Sequence, residues 1–479
     1  MAQTPQKAAT MTRLLCVALF VLLQSFIPTG ASEPTTAATT FPVPSATSSL
    51  ILPQPTSSTG NTAGNSTIAA SCPPPLIPNV FNLTGGSCLG SCCVPCPVSL
   101  AFYEPSSLSD SYTRTSAVRA ASSVSAAIIF ICYLILPSRR KHPHLIILVI
   151  SAVTIPWTGV GTAWLFKKEG LLCKSPYEIA SISNSWLCGM QGTLMLYMAL
   201  ALTCLCFLLI VNLYVLTIYR SFFIQRYMTK LIILSLFFPL SLVIPAVSRK
   251  QIESPGIGSV CFVTSDAYFV YPLLISICLG VVLYSVTIFC MIRLQIRANS
   301  GSSVTDSTSS DPDDSQQQRD KPMSNKQRRL QTSHDISLLI QQQWRPAFFT
   351  TCLSVLSMTY GFYRLFQVTK LENIGPTTTW FINWIECLEQ QAVISMQFGQ
   401  LSSMPTAEQL KAAGDAAQKV CAAVAAPYVP LFSWSILADI MPAFPGIVLL
   451  IVFGSKMELW SDIWRMFLGH KGETGFTMG

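Results

Sequence analysis

Charge is scarce in this chain. Only 11% of its 479 residues are Asp, Glu, Lys or Arg, against 51% that are hydrophobic. A soluble chain of that length needs more charge to cover its surface, so the shortage points to a membrane protein. Histidine is nearly missing too: the four are His142, His144, His334 and His470, and none falls inside a long apolar run. A membrane enzyme needs clustered acids, bases or metal ligands in its spans, and none is present. No catalytic residue, metal site or cofactor is therefore expected. The formal charge of +8 would suit nucleic acid, but the basic residues sit in short clusters between apolar runs, where they orient helices in a bilayer. No nucleic-acid partner is expected. Repeated halves, common among transporters, are lacking as well.

What is there is a succession of apolar runs: Val118–Leu136, Leu145–Phe166, Gly189–Tyr214, Leu231–Val247, Tyr268–Ile292, Pro346–Phe366 and Leu431–Phe453. Each is near the length a spanning helix needs, and none alternates as a barrel strand would. The expected fold is an all-α membrane protein, a seven-transmembrane helix bundle over 117–453. Residues 1–31 read as a signal peptide, with Lys7 and Arg13 before the short apolar core Leu14–Phe26 and small residues after it. Residues 32–71 are Ser-, Thr-, Pro- and Ala-rich, a disordered stalk. The acceptor triplets starting at Asn65 and Asn82 mark glycosylation there and in the linker over 72–116.

Charge sets the orientation. Arg139, Arg140 and Lys141 follow the first run, Arg220, Arg226 and Lys230 the third, and Arg293, Arg297, Lys326, Arg328 and Arg329 the fifth. The alternate loops are mixed or acidic, with Glu372, Glu386, Glu389, Glu408 and Asp415 in the long outer loop 367–430. The positive-inside rule then puts the N-terminus outside and the C-terminus in the cytoplasm, at the plasma membrane. The inner loop 295–343 is Ser-, Asp- and Gln-rich and reads as disordered. Over 454–479, Met457, Trp460, Ile463, Trp464 and Phe467 recur at helical spacing, an amphipathic helix on membrane lipid followed by a tail.

That topology sorts the 17 cysteines, of which Cys16 belongs to the signal peptide. Cys132, Cys204, Cys206, Cys278, Cys290 and Cys352 lie in spans, where a thiol behaves as a small hydrophobe. Cys72, Cys88, Cys92, Cys93, Cys96, Cys173, Cys188, Cys261, Cys387 and Cys421 all fall on the outer side, and the inner loops have none. One oxidisable face implies a disulfide-bonded exterior. Cys93-Val94-Pro95-Cys96 has zinc-ligand spacing, but no second pair or nearby His completes four ligands. A small stapled knot is expected instead, its pairing open.

Asp439 is the clearest buried charge. A carboxylate that deep costs on the order of 2.5–3.5 kcal/mol on insertion scales, so it should face the bundle interior. Arg364 is the expected partner. A ligand pocket holding both, or a purely structural pair, are the two readings.

Three stretches carry a family resemblance. The first is Cys93-Val94-Pro95-Cys96-Pro97 followed by Phe102-Tyr103; the second is Cys188 with Val260-Cys261-Phe262-Val263. The third is Trp380, Trp384 and Cys387 with Cys421. From about Cys88 to Phe467 the chain resembles frizzled and smoothened receptors, in the fungal and slime-mould form that lacks the cysteine-rich ligand domain. The resemblance implies bridges Cys188–Cys261, Cys387–Cys421 and Cys173 to one linker cysteine. It implies a transmembrane signalling receptor coupled to a heterotrimeric G protein, with an unidentified extracellular or lipidic ligand. It also implies an inner activation switch in which Arg345 faces Phe453, or its neighbour Val452, where the family has Trp. The family's Lys-Thr and Trp motif for a dishevelled-type scaffold is replaced by Lys456-Met457-Glu458-Leu459-Trp460, so that partner is not supported. The alternative function is a seven-helix transporter or channel for a small solute.

Overall fold

The computed structural model describes Cys72 and residues 76–78, 88–89, 92–140, 144–165, 169–219, 223–254, 258–300, 345–368, 378–399 and 407–467. The signal peptide, the stalk, Asn65, Asn82, nearly all of the loop 295–343 and the tail beyond Phe467 lie outside the described residues. Contacts divide the chain into Met1–Cys72 and Pro73–Gly479. The account below is of the second unit.

Long helices dominate: α1 Pro105–Ile135, α2 Leu145–Val160, α3 Trp186–Ile218, α4 Phe223–Phe237, α5 Leu240–Ser248 and α6 Val270–Ser300. They are followed by α7 over 345–363, α8 Thr379–Gly399, α9 Ala407–Ala425, α10 Phe432–Ile440, α11 Pro445–Gly454 and α12 Met457–Phe467. Among the described residues five helices are long and apolar enough to cross a membrane, or six if the bent pair α10–α11 counts as one.

The outer surface fits that reading. Ile275, Leu279, Val282, Val286 and Phe289 form an exposed stripe along α6, and Ile233, Leu234, Phe237 and Ile244 are exposed on α4 and α5. Water would penalise so much apolar area, whereas hydrocarbon does not. The core lies around α3, which packs against α2, α4 and α6. Trp157, Leu196, Leu200, Val243, Phe262 and Leu273 interlock there. Ser185 caps the start of α3, its Oγ accepting from the Cys188 N–H at 3.5 Å.

Several expected boundaries move. The first helix begins at Pro105 rather than near Val118, because Pro at the first helical position costs no hydrogen bond and Ser and Thr continue the helix when buried against neighbours. The fourth run is two helices, broken by a turn at Phe238–Pro239 where proline withholds a donor. The last run is also two: Pro442 and Pro445 force a 3₁₀ turn over Met441–Ala443 and a bend of 46°. The loop 367–430 carries α8 and α9, a helical pair stapled by Cys387–Cys421. The inner loop starts later than expected, since α6 runs on to Ser300.

One end of the bundle is built from disulfides and short strands. β1 (Ile77–Pro78), β3 (Cys92–Cys93) and β2 (Cys88–Leu89) form a small antiparallel sheet in that order. Cys96 bridges to Cys173, in β4 (Cys173–Ser175), which pairs with β5 (Glu178–Ile179). Cys188 bridges to Cys261, beside the hairpin of β6 (Ile252–Glu253) and β7 (Phe262–Val263). Cys92 and Cys93 are also disulfide-bonded. Cys93 and Cys96 therefore carry no thiolates for zinc, and the oxidised knot stands in its place. Phe102 packs on Trp384 at 5.0 Å between ring centres, tying the linker to α8. Burial pushes the Tyr103 hydroxyl above its ordinary range, and that hydroxyl donates to the Pro430 carbonyl at 2.5 Å.

Candidate functional site

Asp439 near the end of α10 meets Arg119 of α1, not Arg364. Their charged groups are 2.7 Å apart, with side chains only 9% and 3% exposed. The Arg119 guanidinium also donates to the Asp439 carbonyl at 3.1 Å, to Ser259 Oγ at 2.8 Å and to the Gly161 carbonyl at 3.4 Å. Ser259 in turn donates to the second carboxylate oxygen of Asp439 at 2.9 Å. Every strong group in this node is satisfied, as a buried pair requires. The expected partner was wrong: Arg119 is the second residue of the predicted run from Val118, but with the helix starting at Pro105 it sits in mid-helix, where it reaches Asp439. Arg364 instead lies in a π-helical turn, Arg364–Val368. Its Nε donates to Asp266 at 3.3 Å and its Nη2 to the Val263 carbonyl at 3.2 Å.

The loop that supplies Ser259 is held from three sides. Gly258 has φ 129°, a conformation side chains disfavour. Its N–H donates to Tyr112 Oη on α1 at 2.8 Å. Gln191 of α3 accepts from the Cys261 N–H at 2.9 Å and donates to the Val160 carbonyl at 3.2 Å. The Cys188–Cys261 bridge completes the anchorage.

The bend between α10 and α11 has its own fastening. Trp157 Nε1 donates to the Pro442 carbonyl at 3.1 Å. The Gly446 N–H donates to Ser122 Oγ at 2.9 Å, and glycine is needed because a Cβ would lie 2.0 Å from the Ser122 carbonyl oxygen.

Below the ion pair a cavity of about 130 Å³ runs among α3, α6, α7, α10 and α11. Arg119, Asp439, Arg364, Tyr360, Tyr363 and Ser435 line one end of it. Asp439 and Arg364 thus share the pocket although they do not pair. Tyr363 donates to Ser435 at 3.1 Å. Sequence reasoning missed Arg119, Ser259 and the tyrosines. A charged residue just inside the predicted run Val118–Leu136 was the one available signal.

At the opposite end of the bundle Arg345 of α7 reaches the turn of α11 that carries Phe453. Arg345 donates to the Val452 carbonyl at 3.3 Å, and Phe453 meets Phe349 edge-on at 5.7 Å between ring centres. Arg139, after α1, pairs with Asp462 of α12 at 3.3 Å. Burial, together with the nearby Arg139 and Arg345 guanidiniums, pushes the Lys456 ammonium below the ordinary lysine range.

No protein-family model matches the chain, and a search of curated proteins finds no match.

Proposed function

We propose that the chain is a seven-helix transmembrane signalling receptor of frizzled/smoothened-like kind, coupled to a heterotrimeric G protein. The spans are α1, α2, α3, α4 with α5, α6, α7, and α10 with α11. The disulfide-bearing end faces outside and α12 lies in the cytoplasm at the plasma membrane. A ligand in the cavity shifts the bundle between two arrangements, and the end formed by Arg345, Arg139 and α12 opens to the G protein. The observation that carries this reading is the buried node of Arg119, Asp439 and Ser259. It joins the first helix, an outer loop and the last span at the mouth of one cavity, so a ligand there acts on three elements at once.

The test is nucleotide exchange on purified G proteins by the chain in nanodiscs. Arg345→Ala, at matched expression, is expected to raise basal exchange. Epitope tags before Val118 and after Phe467 should be reachable from opposite sides of intact cells. The broken pair α10–α11 favours a second reading, since transporters place such breaks at their binding sites. Solute flux into liposomes with no effect on exchange would establish the transporter or channel and remove the receptor.

A further inference from the structure

The end of the bundle away from the disulfides gathers cations from three elements remote in sequence. Arg139 follows α1, Arg345 opens α7, and Lys456 stands between α11 and α12. All three are half-buried rather than extended into solvent. Burial, and after it the Arg139 and Arg345 guanidiniums, loosen the Lys456 proton, so the three charges lie within electrostatic reach of one another. Glu458 acts on Lys456 in the opposite sense. Among the described residues no hydrogen-bond acceptor meets the Lys456 ammonium. Arg139 directs two nitrogens at Asp462 and His144, each at 3.3 Å, and a guanidinium has five N–H donors.

The charges do not balance. Arg139, Arg345 and Lys456, with the exposed Arg140, bring four positive charges against the two negative ones of Glu458 and Asp462. That surplus matches a phosphomonoester, which carries about −1.5 to −2 near neutral pH. A phosphodiester or a carboxylate carries a single charge. Guanidiniums also suit phosphate in shape, since their forked N–H groups meet its oxygens in pairs. The neighbouring helix indicates where the phosphate comes from. Met457, next to Lys456, is 82% exposed, and Trp464 and Met466 are exposed further along α12. Trp460 Nε1 donates to the Gly454 carbonyl at 2.6 Å, which fastens this helix to the end of α11. An apolar face beside the cations suits the boundary of headgroups and acyl chains, where lipid phosphates lie.

We infer that Arg139, Arg345 and Lys456 form a binding site for the phosphomonoester headgroup of an anionic membrane lipid. The phosphate sets attraction against the mutual repulsion of the three cations, and the lipid's chains lie against the exposed face of α12. This rests on the receptor reading only for the leaflet that supplies the lipid. Binding is measurable in nanodiscs, where both faces are open, without any G protein.

The experiment places the purified full-length chain in phosphatidylcholine nanodiscs that also carry phosphatidylinositol 4-phosphate, phosphatidylinositol or phosphatidylserine. Retained lipid is read by native mass spectrometry, and relative affinity by competition between lipids. The 4-phosphate lipid is expected to bind about 5-fold or more tightly than the two diester lipids, and Lys456→Gln to weaken it about 5-fold. Lys456→Arg should keep the binding. Arg226→Gln removes an exposed cation of α4 outside the cluster and should change it by less than about 2-fold. Phosphatidylserine retained as well as the 4-phosphate lipid would reduce the effect to general surface charge and overturn the site. Equal losses in Lys456→Gln and Arg226→Gln would do the same. Soluble inositol 1,4-bisphosphate binding as tightly as the lipid would overturn the lipid assignment. Lipid bound as expected, with no nucleotide exchange by the chain, would remove the receptor reading and leave this site standing.

Discussion

Replacing Arg119 and Asp439 singly and together is the sharpest probe of the bundle. Each charge is nearly inaccessible to water, and each is the other's principal partner at 2.7 Å. Arg119→Met leaves a carboxylate held only by Ser259, and Asp439→Leu leaves a guanidinium with one hydroxyl and two carbonyl neighbours. Stranding a buried charge costs about 3–5 kcal/mol. The two single variants should therefore lose about 6–10 kcal/mol between them. The double variant strands no charge but leaves the Ser259 hydroxyl and the carbonyls of Gly161 and residue 439 each short of one partner, at about 1–3 kcal/mol for a buried polar group. On central values the coupling should then be about 2 kcal/mol. Thermal or SDS unfolding of the purified chain in micelles measures all four corners of the cycle. Losses that add to within about 0.5 kcal/mol would mean the pair does not act as a unit, and the node would not be what holds α1 to α10.

Gly446→Ala should destabilise the chain by about 1–3 kcal/mol, because the new Cβ meets backbone of α1. Gly454→Ala is the control, its Cβ meeting the flexible end of Leu450 at 3.0 Å, and equal unfolding temperatures for the two would contradict the close approach. Replacing Cys188 and Cys261 with alanine should cost about 2–5 kcal/mol, since the bridge closes a separation of 73 residues; an unfolding temperature unchanged under non-reducing conditions would argue against it. Lys456 binds its proton less tightly in the fold than in the unfolded chain, so its cost is full at neutral pH and is relieved as pH rises toward the ordinary lysine range. Lys456→Gln should therefore raise the unfolding temperature at pH 7, with the gain fading toward pH 10. A gain that is absent at pH 7, or that grows with pH, would reverse the sign.

Much of the fold is legible in the order of residues alone. Hydropathy marks where the long helices lie, and the bulk of each predicted run is helical. The ends were less legible. Pro105 looks like a breaker in a Ser-rich linker, yet it opens α1, because burial of Leu108 and Tyr112 against Trp164 and Leu172 rewards helix where local preference does not. The charged residues at Asp439 and Arg364 were recognisable as interior. Their partners were not, since pairing depends on how far α1 extends and which way each helix is turned. Lys456 likewise reads as an ordinary inner-face cation, and only its burial in the fold, together with the approach of Arg139 and Arg345, makes its proton loose.

The order of apolar and basic segments by itself determines that this chain belongs in lipid, because transfer from water is a sum over local side chains. It also separates the cysteines inside the predicted apolar runs, which are free, from the disulfide-bonded ones outside them. Only the tertiary structure decides that Arg119 answers Asp439, that Trp157 and Ser122 fasten the bend at Pro442, and that a cavity remains among α3, α6 and α7. Those outcomes depend on directions and distances of a few ångströms between helices remote in sequence, and no local property of the chain encodes them.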